Sequence, residues 1–410
     1  MVERNRLVAS SPGRHRLTWV RALLGGGASA ALLPWIVREL GGDATTCLRL
    51  GALFAIATLS SEVPAALAGD RSGRARPWLA RAGVVQALGL AIIAAAPSLF
   101  VVAIGVVVVG VGAGLSTGAE GRASLAIGRD ARGVARLEVE ALLGKGTACC
   151  AIAIVAVAFG LGARGAIAVS ACGTLLAAAL ASTLRCADRV QSTRRGRRDP
   201  QRAPRAEERR GDRRAFRSIG VIALIVAVAS LNLASRGTDS IDALALLHGS
   251  GPGTILACAA VFAAKGGIAR TLAPLVTRGR LWGVALAAVV SVFLFWSATR
   301  ATDHFVLLNV AIACGVAGGA SAAARGTLLS RIGARRAGIG AAIEATARRV
   351  ALAIGALALA PLVHGGVSGN TYVGCAMVAL IGGLAALAPR VIPSLRRKLR
   401  ARVEDAPLSA

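Results

Sequence analysis

The chain has 410 residues, a mean hydropathy of +0.65, and 55% hydrophobic but only 3% aromatic residues. A soluble chain of this length divides into domains with polar surfaces, whereas here the apolar residues form runs of about 20, the length that crosses a bilayer. The net charge of +28 could indicate a nucleic-acid partner, but its placement argues against one, because the arginines lie mainly between alternate pairs of apolar runs. The composition therefore predicts an all-α integral membrane protein.

Twelve apolar runs predict twelve transmembrane helices, at residues 17–38, 46–68, 78–96, 98–119, 140–162, 164–184, 218–242, 253–275, 281–298, 304–324, 338–363 and 370–389. Trp19 and Trp35 fall near the two ends of the first span, and Trp282 and Trp296 bracket the ninth, as expected for tryptophan at the membrane interface. The basic N-terminus resembles a signal peptide, but the many spans that follow favour an uncleaved first helix.

Arginine is concentrated in the loops that follow the even-numbered spans, at residues 71–81, 122–136, 278–280 and 331–336. We call this side of the molecule the basic end. The positive-inside rule predicts that the basic end and both termini are cytoplasmic, with the protein in the cell inner (plasma) membrane.

The chain divides at a polar stretch, residues 185–217, which contains thirteen arginines and five acidic residues. We interpret it as a flexible cytoplasmic linker in contact with anionic lipid, and a regulatory role is the alternative. The predicted organisation is a six-helix bundle at 1–184, the linker at 185–217, a second six-helix bundle at 218–390 and a cytoplasmic tail at 391–410. Aligning Glu120 with Arg325 also aligns Ser116 with Ser321, which indicates a twofold repeat.

The strongest local signal is the stretch EVPAALAGDRSGRAR at residues 62–76, where the second span enters the basic loop. It resembles the loop 2–3 signature of the major facilitator superfamily (MFS), G-x-L-A-D-R-x-G-R-R, in the branch where E-V-P-T-G precedes it. The sequence departs from that pattern at Ala66, Gly69 and Ala75. The resemblance implies the MFS fold, with twelve transmembrane helices in two six-helix bundles.

In that family the signature latches the outward-facing state, so the resemblance implies a gating role for Asp70, Arg71, Gly73 and Arg74. Glu120 belongs to the implied gate as well, because GLSTGAE at residues 114–120 resembles the S-G-x-x-E-A stretch of the same branch. The alternative for the arginines is ordinary positive-inside anchoring.

Ionisable groups inside the spans are candidates for function, since each costs about 2.5–3.5 kcal/mol to insert. Glu62 lies two helical turns deeper than Asp70, and is interpreted either as a proton-coupling carboxylate or as a structural partner of Arg21 or Lys145.

Lys265 lies mid-span and needs a carboxylate partner, for which Asp239 and Asp242 are the candidates. Together with Arg236 they form a predicted proton or substrate site, unless the seventh span ends early and these residues are a solvated outer loop. On span 11, Glu344, Arg348 and Arg349 lie toward the cytoplasmic end. They either receive the Asp70 latch, or Glu344 and Arg348 form an ordinary i, i+4 salt bridge.

The sequence contains no H-E-x-x-H, P-loop, G-x-S-x-G or C-x-x-C pattern, and its eight cysteines lack metal-site spacing. We therefore expect no enzyme activity, catalytic residue, cofactor or metal. The predicted function is proton-coupled efflux of a small organic compound, such as a drug or secondary metabolite, by a monomer whose partners are substrate, protons and membrane lipid. The alternatives are a proton symporter for uptake and a non-transporting sensor or scaffold that uses the arginine-rich linker.

Overall fold

A computed structural model describes residues 11–24, 27–72, 74–128, 131–184, 219–236, 260, 263–272, 276, 280–300, 303–332, 337–363 and 369–404. The described residues are almost entirely helical and contain no strand. The helices are α1 Ser11–Leu23, α2 Gly27–Glu39, α3 Ala44–Ser72, α4 Arg76–Ala94, α5 Leu99–Gly128, α6 Ala131–Ala158, α7 Ala163–Ser182, α8 Ile219–Arg236, α9 Arg280–Ala298, α10 Asp303–Ile332, α11 Ala337–Val363 and α12 Gly369–Glu404. Residues 263–272 form a further helical segment.

Among the described residues, eight helices are long and apolar enough to cross a membrane: Arg49–Ser72, Arg76–Ala94, Leu99–Ile127, Ala131–Ala158, Ala163–Ser182, Leu281–Ala298, Leu308–Ile332 and Tyr372–Val391. Large apolar side chains on their outer faces are exposed, with Phe100 and Phe293 each more than 70% accessible. Such surfaces are rare on soluble proteins and suit contact with lipid. The prediction of an all-α membrane protein is confirmed.

Several helices are longer at the basic end than the apolar runs predicted. The fourth span was expected to end at residue 119, the fifth to begin at 140 and the tenth to end at 324, whereas the corresponding helices are α5, α6 and α10. Charged residues in the added turns form ion pairs, which offset the cost of continuing past the apolar runs: Glu120 with Arg21, Arg122 with Asp70, and Glu138 with Arg325. The predicted first span is described as two helices, α1 and α2, on either side of residues 25 and 26.

Close helix packing within the N-terminal half depends on small residues. Helix α5 packs against α3 and α4, and α4 packs against α7. A Cβ atom added at Gly114 would lie 2.6 Å from the carbonyl oxygen of Thr58, and one at Gly83 would lie 2.8 Å from Cβ of Ala178. Glycine at these positions lets the backbones approach, which replaces the hydrophobic drive that is missing in lipid.

The two halves contact each other through α11, which packs against α3 and α5, and through α10, which packs against α6. Near the basic end, Leu125, Val134, Leu329 and Ala341 form one apolar cluster with side chains from both halves. A side chain at Gly326 would collide with the backbone of α6 at Ala131. The halves are therefore packed tightly together at the basic end.

Candidate functional site: a buried ion-pair network between the halves

Glu138 lies at the centre of a buried ion-pair network near the basic end. It is on α6, seven residues after Ala131 and so about 10 Å into the helix. Its carboxylate accepts a hydrogen bond from Arg21 of α1 at 2.5 Å and forms an ion pair with Arg325 of α10. Both arginines are buried. One carboxylate therefore joins the N-terminal half to the C-terminal half.

The C-terminal side of the network is built on Glu344 of α11, which is fully buried. Arg325 Nε lies 2.9 Å from Glu344 Oε2, and Arg348 Nε lies 2.5 Å from Glu344 Oε1. The pair between Glu344 and Arg348 is thus an i, i+4 salt bridge that also binds α10. Of the two interpretations of Glu344 and Arg348, these contacts match the helical salt bridge.

The N-terminal side of the network centres on Arg21. Its Nε lies 3.3 Å from Glu120 Oε2, and Ser116 donates a hydrogen bond of 2.7 Å to the other carboxylate oxygen. Arg21 thus contacts Glu120 and Glu138 at once, and holds α1, α5 and α6 together. Glu120, which the family resemblance assigned to the gate, pairs within its own half.

Glu62 forms a second connection between the halves. Its side chain is fully buried, and its Oε2 lies 3.0 Å from Arg349 Nη1 of α11. Thr346 donates a hydrogen bond of 3.2 Å to the same oxygen, and Arg349 donates one of 3.2 Å to the hydroxyl of Thr117 on α5. These contacts tie α3 and α5 to α11.

Arg21 and Lys145 were the expected structural partners of Glu62, and this expectation was wrong. The cations that act on Glu62 in the described part of the chain are Arg349 and Arg348, both on α11. Arg21 contacts two other glutamates instead. The sequence could not reveal this partner, because Glu62 and Arg349 are 287 residues apart and meet only when the halves pack together.

The signature at the end of α3 makes an ion pair inside the N-terminal half. Asp70 Oδ1 lies 3.2 Å from Arg122 Nε of α5, and Arg122 also donates a hydrogen bond to the carbonyl oxygen of Gly69. Arg71 and Arg74 are exposed at the basic end. Gly73 lies outside the described residues, and the gating role of this signature stays a prediction.

The second predicted charge cluster is only partly described. Lys265 is buried in the helical segment 263–272, and Arg236 is the last residue of α8, with its side chain outside the described part. Asp239, Asp242 and the linker at 185–217 also lie outside the described residues. The pairing of Lys265 with either aspartate therefore stays a prediction.

Sequence reasoning missed Glu138 and gave no ionic role to Arg122 or Arg325. Glu138 precedes the predicted start of span 5 and Arg325 follows the predicted end of span 10, so both were assigned to loops. A charge within one helical turn of the end of an apolar run, present on several spans at the same end, was the signal that could have identified them. Among the described residues, no group of three or more His, Cys, Asp or Glu could hold a metal ion.

The comparison with known families agrees with this architecture. The family model described as Major Facilitator Superfamily matches residues 18–356, from α1 through most of α11. The chain belongs to the Major Facilitator Superfamily. It is therefore a multi-pass secondary transporter that binds a small-molecule substrate, since members of this superfamily are transporters and not enzymes. No curated protein matches the chain. The E-V-P-T-G branch stays a prediction.

Proposed function

We propose that this superfamily member is a proton-coupled transporter that exports a small organic compound, with Glu62 as the coupling carboxylate. The observation that supports the coupling is the position of its cations. Glu62 is fully buried on α3, and both arginines that act on it belong to the opposite half. The export direction follows from the family resemblance.

Alternating access requires the two halves to separate at the basic end. That movement takes Arg349 and Arg348 away from Glu62 and leaves a carboxylate without a cation in a site of low polarity. An unpaired buried carboxylate is strongly unfavourable, and taking up a proton removes its charge. Opening at the basic end is therefore coupled to protonation of Glu62.

The other glutamates of the network differ from Glu62 in this respect. Glu120 and Glu138 both contact Arg21 in their own half, and Glu344 contacts Arg348 on its own helix. Each keeps contact with a cation when the halves separate, and Glu120 and Glu138 share Arg21. Glu62 is thus the carboxylate whose charge the movement leaves uncompensated.

The proposal includes the topology predicted from the arginine distribution. In this topology the basic end and both termini are cytoplasmic, and the protein is in the cell inner membrane. The protein with its basic end closed is then in the outward-facing state. The protein acts as a monomer in contact with membrane lipid. Protonation then favours the arrangement that opens to the cytoplasm.

The coupling is tested without a known substrate, by alkylating a cysteine placed at the closed basic end. Ala341→Cys serves, because Ala341 is buried in the cluster that joins the halves. In proteoliposomes, we expect the labelling rate at position 341 to rise several-fold as the pH falls, once it is divided by the rate of an unfolded reference peptide. The division is needed because the reactive thiolate becomes scarcer at low pH. Glu62→Gln should label fast at every pH, because it carries no charge to neutralise.

Glu140→Gln is the matched control, since Glu140 lies on α6 and pairs with Arg136 of the same helix. This variant should keep the pH dependence. A pH response that survives in Glu62→Gln would reject Glu62 as the coupling group. The direction is tested in cells: a strain that lacks an exporter gains sensitivity to its compound, whereas a strain that lacks an importer loses growth on it.

A further inference from the structure

We propose that Glu138 is a positioning residue for alternating access, because its carboxylate holds the halves together through Arg325 and stays paired with Arg21 when they separate. This role rests on transport by separation of the two halves. It does not depend on proton coupling at Glu62, since the two carboxylates lie on different helices and contact different arginines.

The geometry gives Glu138 one partner in each half. Arg21 on α1 belongs to its own half, and Arg325 on α10 belongs to the other. Both side chains of the pair with Arg325 are buried, and the neighbouring Val139 packs with Ala269 and Ala322 of the C-terminal half. The ion pair is thereby shielded from water while the basic end is closed.

Each charged group at this crossing also has a second partner within its own half. Arg325 contacts Glu344 of α11, and Arg21 contacts Glu120 of α5. When the halves separate, Glu138 keeps Arg21 and Arg325 keeps Glu344. The movement therefore breaks one ion pair, and both of its members keep a partner, although Arg21 is then shared by two acids and Glu344 by two arginines.

Such an arrangement favours the closed basic end while keeping the closure reversible. A buried pair with no second partner would hold the halves together much more strongly, because opening would leave two bare charges. Here both members of the crossing pair keep another partner. Opening therefore loses one of the three contacts in the series Arg21, Glu138, Arg325 and Glu344, and the other two remain. Couplings between conformational states in proteins commonly amount to about 5- to 150-fold in an equilibrium.

The test measures opening at the basic end directly. Full-length Ala341→Cys protein in proteoliposomes is alkylated at fixed neutral pH, and the peptide containing position 341 is quantified by mass spectrometry. Glu138→Gln should raise the labelling rate about tenfold, within the range for such couplings. Arg325→Gln breaks the same crossing from the other half and should raise the rate similarly, which keeps the test valid if one variant folds poorly.

Two further variants separate this role from general loosening of the fold. Glu138→Asp retains the charge and should bring the labelling rate back toward that of the parent. Glu140→Gln removes an acid two residues away that pairs with Arg136 on the same helix, and should leave the rate unchanged.

Unchanged labelling in Glu138→Gln and Arg325→Gln would overturn the proposal, as would an equal rise in Glu140→Gln. The same rise in a Glu62→Gln background would show that the crossing acts independently of proton coupling. The two proposals can therefore fail separately.

Discussion

Ion pairs that cross between the halves differ from those that stay within one half. The crossing pairs join Glu62 to Arg349 and Glu138 to Arg325, and their acids are buried under packed helices. The pair between Asp70 and Arg122 stays within the N-terminal half, and the pair between Arg136 and Glu140 stays within one helix. The difference indicates where a conformational change must alter electrostatic energy, because the two crossing pairs, among the residues that the structure describes, lose a partner when the halves move apart.

The largest effect is expected from removing the arginine of a crossing pair. Arg349→Gln leaves the buried Glu62 without the cation that contacts it, and should lower the stability of the closed protein by about 3 kcal/mol. The loss should shrink as the pH falls, because a proton then neutralises Glu62. The measurement is thermal unfolding of the purified protein in detergent at several pH values.

The double variant Glu62→Gln/Arg349→Gln is the control for this experiment. It replaces the ion pair by two neutral groups, and should recover a large part of the lost stability. If the losses of stability in the two single variants simply add, Glu62 and Arg349 are not coupled, and their ion pair does not stabilise the closed state.

An intermediate effect is expected at the pair within the N-terminal half. Asp70→Asn removes a charge that is largely but not fully shielded, and Arg122 still donates to the carbonyl oxygen of Gly69. We expect a stability loss of about 1–2 kcal/mol together with loss of transport, as the family resemblance implies for this position. Transport that persists in Asp70→Asn would remove this signature from the gate and leave the crossing pairs as its main elements.

The smallest effect is expected at the exposed pair on α6. The Arg136 side chain is 68% exposed, and water screens its attraction to Glu140. Arg136→Gln should therefore change stability by about 0.5 kcal/mol or less, and added salt should remove even that difference. A loss above 1 kcal/mol in the same unfolding assay would show that an ion pair within one helix can stabilise the protein as much as a pair between the halves.

The sequence predicted the general architecture well for a physical reason. Twenty apolar residues in a row are stable as a transmembrane helix regardless of what surrounds them, so composition alone indicated a membrane protein. The signature at residues 62–76 correctly indicated the superfamily. Span ends at the basic end were less accurate, because hydropathy falls at the first charged residue, whereas α5, α6 and α10 continue through Glu120, Glu138 and Arg325.

The candidate site was predicted only in part. Glu62 was identified because an acid inside an apolar run is costly wherever its partner lies. Its partner was assigned wrongly, and Glu138 was overlooked, since neither Arg349 nor Arg325 is close to these acids along the chain. The contact of Glu344 with Arg348 was predictable, because four residues separate them on one helix.

The amino-acid sequence by itself determined that this protein crosses the membrane many times, that its arginines mark one end, and that it carries the superfamily signature. These properties depend on local hydropathy and short spacing. Only the tertiary structure decided which charges meet, because ion pairs such as Glu62 with Arg349 and Glu138 with Arg325 join residues far apart in the chain where the two halves pack together. Because that packed interior has low polarity, each ion pair there contributes more to the free energy of opening and closing than it would in water.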